Sequence, residues 1–391
     1  MFSWLPFVDG DEEKKKLKPA ELVKFDSEVR FKKVWRASIG KGLGKKYLRI
    51  DPNILADRIY AADGYGLLEA RNRFTGKSIW RTKVGAVQKK GRLGAFNFMD
   101  RKDPSFVSGG VGAGSGYVLL GTTLGEVIAI AARDGKEIWR TSVGAEVLSS
   151  PVTESDKVFL QTADGRLIAL NETTGDIEWI FDNQIPVLTL RGTGTPVFRS
   201  GVVFSGFANG KLSALRATTG ELIWEHRVML PEGRSELDRL VDIDGAPLIV
   251  GGAIFAVSYQ GKLKALRRSD GGLIWEHSVS SFLDLASGYG QVYVVSDNDV
   301  VEALDQQSGE VSWTNDSLKR RKLTSPAAYS NYVLVGDSEG YLHAIAQSDG
   351  RFVGRIKLDG KGLRSDISVE DGIVYVQGNS GALFALKIES G

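Results

Sequence analysis

Thr195-Pro-Val-Phe-Arg-Ser-Gly-Val-Val-Phe-Ser-Gly-Phe-Ala-Asn-Gly-Lys-Leu-Ser-Ala-Leu-Arg-Ala-Thr-Thr-Gly-Glu-Leu-Ile-Trp-Glu225 decides the fold. It divides into four short apolar runs, Thr195–Phe198, Gly201–Gly206, Lys211–Leu215 and Leu222–Glu225. Turn residues separate them, and the Thr219-Gly220 pair supplies the positive φ that a tight antiparallel turn needs. The segment therefore predicts four short antiparallel strands.

The same pattern recurs along the chain. A turn residue, an apolar residue and an Ala-apolar pair appear at Gly125–Ile130, Gly165–Leu170, Gly210–Leu215, Gly261–Leu266, Gly340–Ile345 and Gly381–Leu386, with looser copies at Gly66–Arg71 and Asp299–Leu304. The alanines are Ala70, Ala129, Ala169, Ala214, Ala265, Ala303, Ala344 and Ala385. Ten residues beyond the first six stand Trp80, Trp139, Trp179, Trp224, Trp275 and Trp313; the seventh slot holds Gly354. Eighteen residues before five of the alanines stand Pro52, Pro151, Pro196, Pro247 and Pro326. A period near 40 residues with four strands per unit reads as the blades of a β-propeller. The expected fold is all-β, an eight-bladed propeller of four-stranded antiparallel blades. The last unit lacks room for a tryptophan strand, and Trp35 precedes every alanine motif. The N-terminal strand around Trp35 is expected to complete the C-terminal blade and close the ring without a free junction edge. The tryptophans are expected to pack between blades rather than line a ligand site.

Two domains of organisation follow: a tail or tether over 1–26, and the propeller over 27–391. The tail carries Asp11-Glu-Glu-Lys-Lys-Lys16 and reads as solvated. A basic insertion with interleaved aromatics lies near 86–106, and a longer loop runs from Met229 to Leu240. Lys319-Arg-Arg-Lys322 reads as a solvated linker.

Composition narrows the chemistry. The 391 residues include no cysteine, three histidines and 47 glycines, and 50 basic residues balance 48 acidic ones to a net charge of +2. Thiolate chemistry, disulfides and cysteine-ligated metals are excluded for this sequence. The even balance gives no support to a nucleic-acid partner. No phosphate loop and no calcium loop appears. His226 and His277 both follow a repeat tryptophan by two residues, so they are copies of one structural slot; His343 lies inside an alanine strand. No catalytic, cofactor or metal residue is assigned.

One constellation remains. Pro186-Val-Leu-Thr-Leu-Arg-Gly192 carries Leu188, Leu190 and Arg191, and Leu240-Val-Asp-Ile-Asp244 carries Asp242 and Asp244. Both segments join an outer strand to the next inner strand, so both fall on one face near the channel mouth. Arg191 and Asp242 share one slot, five residues before a proline, and Tyr47, Glu146 and Arg321 stand in that slot elsewhere. Two readings fit: charges that pair across blades, and a protein-binding rim of leucines flanked by complementary charge.

The Ala-Leu, Thr-Gly, Trp repeat resembles that of the pyrroloquinoline-quinone (PQQ)-type propellers over roughly 27–391. Within them, Pro186–Gly192, Asp238-Arg-Leu-Val-Asp-Ile-Asp244, Leu323-Thr-Ser-Pro326 and Asp337-Ser-Glu-Gly-Tyr-Leu-His343 resemble the BamB family, lipoprotein subunits of the outer-membrane β-barrel assembly machinery. The resemblance implies a non-enzymatic scaffold at the periplasmic face of the outer membrane. It implies binding to the POTRA domains of BamA through Leu188, Leu190, Arg191, Asp242 and Asp244, as a monomer within a hetero-oligomeric complex, with unfolded barrel proteins as further candidate partners. The family's lipid-bearing cysteine and leader do not match, and Met1 reads as a replacement start. The alternatives are a PQQ-dependent dehydrogenase and a generic interaction scaffold; the absence of a vicinal cysteine pair and of a calcium motif counts against the first.

Overall fold

The computed structural model describes residues 18–46, 48–85, 104–184, 186–190 and 194–391. Its regular elements are 32 strands in eight four-stranded antiparallel sheets, with no helix among the described residues. Seven blades are sequential in the chain, from Asn53–Lys83 (blade 1) to Ala327–Lys357 (blade 7). Blade 8 combines Ser368–Glu370, Ile373–Gln377 and Ala382–Ser390 with the N-terminal strand Val29–Ser38. The closure pairs Trp35 with Ala385, the partner expected from the repeat.

The repeat's spacing has a direct structural cause. Within the hairpins of third and outer strands in blades 1 to 6, the alanine lies opposite the tryptophan, and the register shifts at the next residue. The second strand adds a third member to the row, as in Tyr60–Ala70–Trp80 and Phe204–Ala214–Trp224. Alanine is small enough for the flanking rings to approach across it. Their centroids are 5.9 Å apart in blade 1 and 5.8 Å in blade 4, tilted as aromatic pairs prefer.

Each of the seven described tryptophans also binds the next blade. Its indole N–H donates to the carbonyl three residues past that blade's alanine: Trp35 to Arg73, Trp80 to Ala132, Trp139 to Glu172, Trp179 to Ala217, Trp224 to Arg268, Trp275 to Gln306 and Trp313 to Gln347, all at 2.8–3.0 Å. The ring covers that blade's turn glycine. Gly271, at φ +70°, lies so close to Trp224 that an added Cβ would sit 2.6 Å from its Cε3. Gly354 stands where the series lacks a tryptophan because Val29 and Phe31 of the closing strand occupy that space. The expected inter-blade role of the tryptophans is what the structure has.

The first strand of each blade, three residues long except for Val107–Gly114 in blade 2, lines the channel, and first strands of neighbouring blades touch at several junctions of the ring. Outer strands end, and inner strands begin, on one face; this is the site face below. There, backbone N–H groups donate to side chains of the following blade: Ala246 to Asp284 (2.8 Å), Asp284 to Ser325 (3.2 Å), Ser325 to Asp366 (3.3 Å) and Asp366 to Asp51 (2.6 Å).

Two expectations change. From residue 18 onward the tail is docked along blades 6 and 7, with Leu22 and Phe25 packed on their core, while Lys18, Pro19, Glu21, Val23, Lys24 and Asp26 stay exposed. Lys319–Lys322 is not simply a solvated linker either. Arg321 is 2% exposed and pairs with fully buried Asp337 and with Glu339. A run of four basic residues carries no sequence mark of which one turns inward.

Candidate functional site

Leu188 and Leu190 lie in the connection from blade 3 to blade 4, and Asp242 and Asp244 in that from blade 4 to blade 5. The structure brings the two connections together: the Leu190 backbone N–H donates to Asp242 Oδ2. Asn209, in a turn of blade 4, bridges further by donating to Asn183 Oδ1 and the Gln184 carbonyl. Asp242 is fully buried, so its carboxylate acts on the neighbouring loop rather than facing solvent. Leu188 is 38% exposed and Val187 almost wholly so, at 97%. A buried acceptor thus holds a loop that leaves the apolar Val187 exposed and Leu188 and Leu190 partly so. Arg191 and Tyr47 lie outside the described residues, as does nearly all of the basic insertion.

The carboxylates here are poised for protonation near neutrality. Burial pushes Asp242 up to about 7, against the opposing Leu190 hydrogen bond. Burial, and then the charge of Asp242, push Asp244 up to about 8. Deeper in the channel, burial and the charge of Asp366 push Asp51 and Asp284 up to about 7 each. The Arg49 guanidinium lies within electrostatic reach of Asp366, Asp284, Asp51 and Asp244. Among the described residues, no group of three or more His, Asp or Glu has an arrangement that could hold a metal ion.

Of the residues in the slot shared by Arg191 and Asp242, two have partners among the described residues that differ from pairing with each other across blades. Arg321 pairs within blade 7, and Asp242 accepts from a backbone N–H. His343 is buried in the same blade-7 network. It accepts from Arg355 Nε at Nδ1 (3.0 Å), so its Nε2–H donates to Asp337 Oδ2 (3.0 Å). Burial holds this histidine below its usual range, in keeping with a neutral ring.

Sequence reading passed over Leu230 and Leu237, which are 54% and 63% exposed on the same face. Their loop is braced: Asp238 and Ser235 exchange hydrogen bonds, and Gln260 donates to the Leu237 carbonyl. The signal available was the long interval between Ala214 and Ala265.

The ring, its row of Ala and Trp, and its side-chain-linked channel define a protein of the PQQ-type propeller class. A chain of that fold, the quinohemoprotein alcohol dehydrogenase of Comamonas testosteroni, matches with TM-score 0.69 at 14% identity, over 91% of this chain and 76% of that one. At that identity the likeness extends to the fold alone. The family is decided by closer matches. The model of the family described as outer membrane protein assembly factor BamB matches residues 87–315 and 297–391. The protein of that name from Pseudomonas aeruginosa is 44% identical over 375 residues, 96% of this chain and 94% of its own. The crystal structure of BamB from Moraxella catarrhalis matches with TM-score 0.80 at 27% identity, over 92% of this chain and all of that one. The chain belongs to the BamB family of outer membrane protein assembly factors.

Proposed function

We propose that this protein is a non-catalytic scaffold of the outer-membrane β-barrel assembly machinery. It binds the periplasmic POTRA domains of BamA through the surface built on Leu188, Leu190, Arg191, Asp242 and Asp244, with buried Asp242 acting from beneath by holding the Leu190 loop, and so supports folding and insertion of barrel proteins. It acts at the periplasmic face of the outer membrane, held there in its native form by a lipid. The observation that carries the reading is the Asp242–Leu190 bond, which ties two connections into one surface beside an exposed leucine. A loop held in its binding shape loses little entropy on association, and an apolar centre with a charged margin suits a specific protein partner.

The test is co-purification with BamA. Leu188→Ser with Leu190→Ser, and separately Arg191→Ala, are expected to abolish it while leaving the melting temperature unchanged. Undiminished binding by these folded variants would overturn the assignment.

A further inference from the structure

Residues 18–28 are held along the outside of the ring by contacts at three levels. Near the site face, Ala20 N–H donates to the Lys319 carbonyl (2.9 Å), Arg320 Nε donates to the Lys18 carbonyl (2.7 Å), and Arg321 donates to the Ala20 carbonyl (2.7 Å). At mid-height, Arg355 donates to the Val23 carbonyl (2.9 Å), and its guanidinium lies over the Phe25 ring at 4.9 Å. Phe25 stacks on Phe352 with centroids 5.5 Å apart. At the far face, Glu28 N–H donates to the Val353 carbonyl (2.8 Å), and its carboxylate takes Arg351 at both oxygens, 2.8 Å each. The segment then turns into the closing strand of blade 8.

The receptor for this segment is built into blade 7. Arg321 and Arg355, which grip the strap's carbonyls, are themselves fixed by the buried Asp337–His343 pair. Such a network holds its donors in place before the strap arrives, and charge-assisted bonds to carbonyls are the stronger kind.

We infer that residues 18–28 form a clamped strap whose leading end, Lys18, is fixed on the site face at the connection between blades 6 and 7, the point of exit for the chain before it. That exit lies two to three blades round the ring from Leu188 and Asp242. A partner seated on the site face and a body attached through the N-terminus therefore lie on the same side of the disc. This consequence rests on the function proposed above; the strap itself does not. Releasing the strap adds about 35 Å of reach for ten residues of chain. It also weakens any binding that depends on the tether, because effective concentration falls steeply with linker length.

This sequence holds no cysteine, so paired spin labels are clean. One pair joins Lys18→Cys to Asn298→Cys, in the site-face turn of blade 6; the other joins Lys18→Cys to Gln307→Cys, at the opposite face of that blade. Both distance distributions are expected to be narrow, with Asn298 the nearer. Leu22→Ser with Phe25→Ser changes only the strap and is expected to broaden both. A broad distribution in the parent chain, or Gln307 as the nearer site, overturns the inference. In a second arm, the chain is tethered by its N-terminus to vesicles holding BamA. The release variant is expected to lose about twofold in retention while keeping its solution affinity for the POTRA domains. Equal retention overturns the tethering consequence. Failure of the parent chain to bind POTRA domains in solution would instead overturn the proposed function, leaving the strap to be judged on the distances.

Discussion

Gly271→Ala tests the reason the repeat pairs a turn glycine with a tryptophan. The residue has φ +70°, where an L side chain costs roughly 1–2 kcal/mol. The new methyl would also lie 2.6 Å from Cε3 and 2.9 Å from Cδ2 of Trp224. That ring cannot simply retreat, since its N–H is bonded to the Arg268 carbonyl at 3.0 Å and its other side meets Phe204. Overpacking of this kind adds about 1–3 kcal/mol. Alanine returns some stability by restricting the unfolded chain, about 0.4–1 kcal/mol. The net expectation is a loss of about 2–4 kcal/mol. Gly290→Ala is the control, because Gly290 has φ +73° but nothing within 4 Å of an added Cβ. It bears only the backbone term, about 1 kcal/mol. Urea unfolding of the two variants measures the difference. Equal midpoints would refute the reasoning, since the contact between blades would then contribute nothing at that turn.

Other outcomes follow from the same structure. Arg321→Met leaves buried Asp337 with His343 as its one side-chain partner, and unfolding should show a loss of about 3–5 kcal/mol. Carboxyl groups raised in the fold, as Asp51, Asp242, Asp244 and Asp284 are, contribute stability that is fully present below the ordinary aspartate range and lost as pH rises through their folded values near 7–8. The urea midpoint should therefore fall between pH 5 and pH 8, and Asp244→Asn should flatten that slope. Asp337 runs the other way. Burial alone would raise it, but the His343 and Arg321 bonds and the Tyr341 N–H hold it below its usual value. Its contribution is present above the ordinary aspartate range and disappears only as acid titrates it, so an Asp337→Asn variant should lose its deficit relative to the parent at the most acid pH that still permits folding. Addition of PQQ and calcium should give no dye reduction with any alcohol or aldose; turnover would restore the dehydrogenase reading.

Periodic features were legible in the chain because each blade solves the same packing problem. The Ala–Trp offset of ten is one cross-strand pair plus a register shift, repeated wherever a hairpin must present a ring to the next blade. The glycine at 354 was visible as a gap in the tryptophan series, but its reason, the bulk of Val29 and Phe31, lies more than 300 residues away in sequence. The site was partly legible. Slot alignment put the 186–192 and 240–244 segments on one face, and the bond from Leu190 to Asp242 joins them.

What had no periodic mark was left to the tertiary structure. Burial of Arg321 among its basic neighbours, the exposure of Leu230 and Leu237, and the side-chain links around the channel each depend on which atoms meet across blades. The strap is the clearest case. Nothing in residues 18–28 distinguishes a solvated tail from a docked one; the difference lies in Arg355 and Phe352, placed over 300 residues downstream by closure of the ring. Local sequence settles strands and turns because their periods and torsions are local. The partner of a buried charge, or of a single aromatic ring, is chosen by the closed ring as a whole.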